Sequence, residues 1–184
     1  MDNGESSYRR FLAGDDSGMV ELVRDFKDGL MLYLSSYTGD MGTAEDCVQD
    51  TFIKLAVKKP RFNGKSSFKT WLYTIGRNIA VDHTRRFFRH RKVYLDDCIS
   101  LADEADLEQS YLVSEQKIAL RHSLRQLKKE YQQALHLSYF EGFNNAETAQ
   151  IMGKTVKQVE NLLYNASKAL KTELEKEGFS YEKL

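Results

Sequence analysis

With 184 residues, 41% of them hydrophobic and a single proline, Pro60, the chain can build one large or two small cores and contains little that would interrupt helices. No apolar run reaches the roughly 18 residues that a membrane-spanning helix needs, and residues 1–16 lack a basic start followed by an apolar block, so neither membrane insertion nor a signal peptide is expected. Formal net charge is zero, but the charge is segregated along the chain. Cys47 and Cys98 have no ligand-like spacing and read as reduced thiols of a cytoplasmic protein, and His83, His90, His122 and His136 form no cluster. No metal or cofactor is expected.

Taken in order, residues 8–13 predict a short helix, with Gly14 as its C-cap and Asp15 or Asp16 starting the next. Met19, Val23, Phe26, Leu30, Tyr33 or Leu34, and Tyr37 recur at spacings of three and four. They predict an amphipathic helix over 17–37, ended by Thr38, Gly39 and Asp40. Thr43 is the expected N-cap of a third helix running to about residue 59, with Asp46 three positions on. Val48, Phe52, Leu55 and Ala56 give it a core face, and Asp46, Gln49, Asp50 and Lys54 lie opposite. That acidic face suits either dipole-stabilising surface charge or docking of a basic partner. Pro60 and Asn63-Gly64 then leave a basic loop over 61–66.

Residues 61–92 hold nine Lys and Arg, one acid (Asp82) and six aromatics (Phe62, Phe68, Trp71, Tyr73, Phe87, Phe88). Cations attract a phosphate backbone and rings offer faces to unstacked bases, so the stretch suits a melted-strand binder. It equally suits a helix with an aromatic core face and a solvated basic face. Ser66 or Ser67 caps the helix, and Phe68, Trp71, Leu72, Ile75 and Ile79 are its expected core stripe. Lys69, Tyr73, Arg77 and Asn78 fall off that stripe, free to touch a ligand, and Arg85 and Arg86 extend the basic surface past Asp82.

Residues 93–116 carry seven acids and no Lys or Arg, and lack clear periodicity, as a linker does. Residues 116–140 return to helical spacing as two helices meeting near Lys128, Lys129 and Glu130. A helix-turn-helix pattern follows. Asn144 or Asn145 caps a short helix over 146–152, Gly153 turns the chain, and a longer helix spans 156–175. Val156, Val159, Leu163, Ala166 and Leu170 are expected inside. Thr155, Lys157, Gln158, Asn161, Asn165 and Lys168 form the outer polar set, where amides can read adenine edges and Lys can meet phosphate or guanine. The expected fold is all-α: a helical domain over 1–92, an acidic linker over 93–116 and a helix-turn-helix domain over 117–184.

The segments AEDCVQDTFIKL (44–55) and FNGKSSFKTWLYTIGRNIAVDHTRR (62–86), followed by an acidic linker and a helix-turn-helix, resemble the extracytoplasmic-function (ECF) group of the sigma-70 family. These are two-domain initiation factors of bacterial RNA polymerase without catalytic residues of their own. The resemblance implies that Asp46, Gln49, Asp50 and Phe52 dock on a coiled coil of the polymerase. It implies that the 61–66 loop (Arg61, Asn63, Lys65, Ser66) and Asn78 capture a flipped base of the promoter −10 element. Lys69, Tyr73, Arg77, Arg85 and Arg86 would then hold the strands, while the outer set of the last helix reads the −35 element. Core RNA polymerase, promoter DNA and an inhibitory anti-sigma protein are the implied partners. One departure is that the last helix lacks the family's run of Arg residues. Over 154–176 five Lys and three Glu leave +2, which predicts modest phosphate neutralisation.

Two other classes compete. A stand-alone helix-turn-helix regulator would bind duplex operators without polymerase, and leaves 44–92 without a role. A metal-dependent nucleic-acid enzyme would use Asp46, Asp50 and Asp82 as ligands, and no third ligand beside the Asp46/Asp50 pair is indicated.

Overall fold

The computed structural model describes residues 4–91 and 115–176. The expected linker lies outside these, apart from its last two residues, and so does Cys98. Every described element is helical, and the helices form two compact units. The first holds α1 (Glu5–Leu12), α2 (Ser17–Thr38), α3 (Met41–Lys58) and α4 (Phe68–Arg91). The second holds α5 (Glu115–Gln126), α6 (Lys129–Leu135), most of α7 (Asn145–Met152), and α8 (Val156–Lys176).

In the first unit α2 is the central element and packs on α1, α3 and α4. Leu22, Phe26, Leu30, Tyr33 and Leu34 are buried along one stripe, each contributing roughly 1.5–3 kcal/mol by removal from water. Met19, Val23 and Tyr37, expected on that stripe, are half-buried at its edges. The N-cap of α3 is Asp40 rather than Thr43: the Asp40 carboxylate accepts the Thr43 backbone N–H at 2.7 Å. A carboxylate there meets both the free N–H groups and the positive end of the helix dipole, which a hydroxyl three residues later cannot do as well.

The buried stripe of α4 also differs from its expectation. Phe68 and Leu72 are buried as anticipated, but Trp71, Ile75 and Ile79 are half-buried, and Tyr73, Gly76 and Ala80 fill the interior. Gly76 explains the rotation. A β-carbon there would lie 3.0 Å from Leu30 Cδ1 and 3.4 Å from Thr51 Oγ1. The bare backbone lets α4 settle against α2 and α3 along a line that a count of large apolar residues does not reveal.

In the second unit Leu127, Leu135 and Ala166 are buried, and Leu124, Tyr131, Leu163, Ala169 and Leu170 pack around them. The α5–α6 break falls at Leu127 and Lys128, held by a Gln132 side-chain N–H donated to the Leu127 carbonyl at 2.8 Å. Past Leu135 the helix runs on as a π-turn over His136–Phe140, with the Glu141 N–H reaching the His136 carbonyl at 3.1 Å. Asn144 caps α7 in a reciprocal box with Glu147, at 2.9 and 3.1 Å. Gly153, at φ 65°, makes the turn into α8.

Candidate nucleic-acid interface

The outer face of α3 is set by where its inner face goes. Ala44, Cys47, Val48, Thr51, Phe52 and Leu55 are buried, which leaves Asp46, Gln49 and Asp50 exposed on the other side. Phe52 is a correction: at 8% exposure its ring is part of the core and offers a partner no surface. Two residues that the sequence reading passed over take its place. Ile53 and Val57 are 56% and 69% exposed, and their spacing of seven and eleven from Asp46 puts them on the acidic face. The available signal was that neither falls on the Val48/Phe52/Leu55 stripe, so an apolar side chain there must meet solvent or a partner. Burial pushes the Cys47 thiol up to about 11, with the Asp50, Asp46 and Asp40 carboxylates adding to the shift, so Cys47 is inert at neutral pH.

The loop after α3 begins at Lys59, a C-cap in the left-handed region, and Pro60. Arg61, Asn63 and Lys65 are exposed and Ser66 is half-buried. The Asn63 side-chain oxygen accepts the Lys65 N–H at 3.1 Å, closing a small turn around Gly64. Ser67, not Ser66, caps α4, accepting the Thr70 N–H at 3.1 Å. The Phe62 ring turns inward, with its centroid 5.6 Å from Phe68 and 5.3 Å from Trp71.

Along α4, Asn78, Arg85 and Arg86 are exposed, and Lys69 and Arg77 are half-buried. Arg77 donates to the Asn78 side-chain oxygen at 3.2 Å, leaving the amide NH2 unused by that bond. Tyr73 is the second correction. It is 0% exposed and its ring centroid lies 5.7 Å from that of Tyr33, so it cannot stack on a base. Tyr73 falls off the Phe68/Trp71/Leu72 stripe in sequence, yet the approach permitted by Gly76 draws it in. Lys69 lies with its ammonium 5.7 Å from the Tyr73 ring centroid. Phe87 and Phe88, among the six aromatics of this stretch, are exposed beside Arg85 and Arg86.

In the second unit Thr155, Lys157, Gln158, Asn161, Asn165 and Lys168 are all exposed on α8 and its cap. Val156, expected inside, is exposed as well, being the first helical residue. Thr155 and Gln158 form a capping box. The Gln158 N–H donates to the Thr155 hydroxyl at 3.2 Å, and the Gln158 side-chain oxygen accepts the Thr155 N–H at 2.8 Å. The Gln158 amide oxygen thus has one acceptor position taken by the cap, and the cap makes no use of its NH2. Lys157 pairs with Glu160 at 3.5 Å, which offsets part of its charge. Tyr139 and Tyr164, both largely exposed, border an open apolar groove with Leu163 that the sequence reading did not anticipate. The π-turn brings Tyr139 to the surface, and a regular helical period does not forecast such a turn.

Among the described residues no three His, Cys, Asp or Glu side chains lie together as metal ligands, and no helix is long and apolar enough to cross a membrane. The site is thus a set of surfaces: an acidic-apolar face on α3, a basic loop and a basic α4, and an amide-rich helix after a tight turn. A helical protein with such surfaces fits the class that binds nucleic acid and a protein partner.

Comparison with known proteins narrows the class. Residues 22–90 match the family model for sigma-70 region 2, and residues 117–170 match the model for sigma-70 region 4. The RNA polymerase sigma factor YlaC of Bacillus subtilis is 31% identical over 158 residues, covering 85% of this chain and 91% of that one. The ECF sigma factor BldN of Streptomyces coelicolor is 29% identical over 163 residues, covering 88% of this chain and 62% of that one. The fold is similar to that of the sigma factor RpoE of Bartonella quintana, solved with the anti-sigma factor NepR. The TM-score is 0.64 at 23% identity, over 84% of this chain and 97% of that one. The chain belongs to the sigma-70 family, in its ECF group, and is a promoter-specificity subunit of bacterial RNA polymerase. Sigma factors are regulatory subunits.

Proposed function

We propose the following division of labour. The outer face of α3, with Asp46, Gln49 and Asp50 around Ile53 and Val57, docks on core polymerase. Carboxylates at the edge steer a basic partner, and the two apolar side chains gain by leaving water. The 61–66 loop and Asn78 take up a displaced base of the −10 element, and Lys69, Arg77, Arg85 and Arg86 neutralise the adjoining phosphates. The N-terminal half of α8 enters the major groove of the upstream element through Lys157, Gln158, Asn161 and Asn165, with Thr155 and Lys168 at its ends. The observation that carries this reading is the pairing, within one unit, of an acidic face containing exposed Ile53 and Val57 with a basic loop and helix. A stand-alone duplex binder has no use for either.

The protein acts in the cytoplasm, where its polymerase and promoter are, and it is held inactive by an anti-sigma protein, as RpoE of B. quintana was solved with NepR. The test is run-off transcription by core polymerase reconstituted with the chain on a genomic promoter library. Promoter-dependent transcripts are expected. A chain that fails to bind core polymerase yet binds duplex operators as a dimer would be a stand-alone regulator instead.

A further inference from the structure

α1 precedes both segments that match the family models, which begin at residues 22 and 117. Even so, three contacts tie it to the stem of the 61–66 loop. The Tyr8 hydroxyl donates to the Pro60 carbonyl at 2.8 Å. The Lys59 ammonium lies 5.0 Å from the centroid of the Phe11 ring, and Lys59 itself has φ 44°, a conformation that its β-carbon disfavours and that needs support from its surroundings. The third contact runs through shared neighbours. Tyr8 packs on Phe68 and Trp71 at 5.3 and 5.6 Å, the same two rings on which Phe62 of the loop sits. Tyr8 and Phe11 are buried. α1 is fixed in turn to α2, where the Ser7 hydroxyl donates to the Glu21 carboxylate at 2.7 Å and Arg10 pairs with that carboxylate.

The loop has to present Arg61, Asn63 and Lys65 to a strand, and it contains Gly64 at φ 69°. A loop free at its stem would lose conformational entropy each time it engaged a base, and that loss would subtract from affinity. Contacts that fix residues 59, 60 and 62 beforehand remove part of the loss. Burial pushes the Tyr8 hydroxyl up to about 12, so it keeps its proton and remains a donor throughout the physiological range.

We propose that Tyr8 and Phe11 are positioning residues for promoter melting: α1 holds the stem of the 61–66 loop in the conformation that receives the displaced strand. This rests on the role given to that loop under Proposed function. The test uses holoenzyme assembled from core polymerase and the full chain, and two probes cut from a promoter found by run-off transcription. One is a duplex, and the other is a fork junction with the −10 strand single. Tyr8→Phe keeps the ring and removes one hydrogen bond. It is expected to bind core polymerase and duplex like the parent, with the melting temperature lowered by only a few degrees, and to bind the fork junction about fivefold more weakly. Phe11→Leu, which keeps apolar volume but removes the face beneath Lys59, is expected to shift fork binding in the same direction.

Fork affinity unchanged in both variants, or equal losses for core, duplex and fork, overturns the proposal. Asn63→Ala and Lys65→Ala separate the two levels of the argument. If they weaken fork binding while Tyr8→Phe does not, only the role of α1 falls. If they have no effect, the loop reading falls and takes this proposal with it.

Discussion

At the scale of single residues, function divides between side chains whose polar atoms are spent within the protein and those left to a partner. Asp50 is exposed on α3 with no structural duty to lose. Asp50→Ala is expected to weaken binding to core polymerase about two- to fivefold, the range for a rim charge, and to leave the melting temperature unchanged. Titration of labelled protein with core enzyme checks this. Asn78 is different because Arg77 orients its amide at 3.2 Å. Asn78→Ala is expected to slow open-complex formation, read by permanganate reactivity, by roughly tenfold, as befits loss of the hydrogen bond proposed for it to a displaced base. Its affinity for core polymerase should hold. Equal losses in the two measurements would make Asn78 a structural residue. Cys47 has its thiol pushed up to about 11, so native protein should resist iodoacetamide at pH 8 at this position, and mass spectrometry of the labelled peptide decides it.

At the scale of elements, the helices and their order were legible because amphipathic spacing, caps and breakers agree along most of the chain. Pro60, the Lys128 junction and Gly153 each ended an element where expected. Which face of a helix is buried was harder to read. α4 shows why: Gly76 contributes nothing to a hydrophobic stripe, yet its missing side chain decides how α4 meets Leu30 and Thr51, and Tyr73 goes inside as a result. The same blindness hid the exposed pair Ile53 and Val57, since periodicity finds the core stripe and treats apolar residues off it as exceptions. Phe52 was assigned to the docking face from family likeness, and its burial returns it to the core. A substitution tests the close approach. Gly76→Ala places a methyl 3.0 Å from the Leu30 side chain, and is expected to destabilise the first unit by about 1–3 kcal/mol, read as a lower denaturant midpoint for Trp71 fluorescence. An unchanged midpoint would mean that Leu30 yields without cost.

At the scale of the whole molecule, two pH limits follow from where the ionisable groups sit. Cys47 rises from its ordinary 9.0 to about 11 and Tyr8 from 10.0 to about 12, both by burial. Tyr33 is raised as well, for the same reason. A folded state that holds its protons more tightly than the unfolded chain gains stability below the unfolded pKa and loses it as pH climbs through the folded one. Stability should therefore be flat up to about pH 9 and fall between pH 9 and 12. Tyr8→Phe should soften the upper part of that fall in an alkaline unfolding titration. On the acid side, Asp15 and Glu21 are held below the usual carboxylate range, Asp15 chiefly by its hydrogen bonds from Ser17 and Glu21 by that from Arg10. Their contribution is present above that range and fades as pH drops through it.

If α8 enters the major groove as proposed, the capping box at its start bears on the promoters the protein can use. An amide that reads adenine with both ends needs its oxygen as well as its nitrogen. With one lone pair of the Gln158 oxygen taken by the Thr155 N–H, this side chain is better placed to donate than to accept. Adenine N7, guanine O6 and N7, and thymine O4 can all accept from it, and cytosine, which presents a donor there, cannot. An aligned set of the promoters that this factor serves should then show, at the base beneath Gln158, a weak bias against cytosine rather than a preference for any one letter.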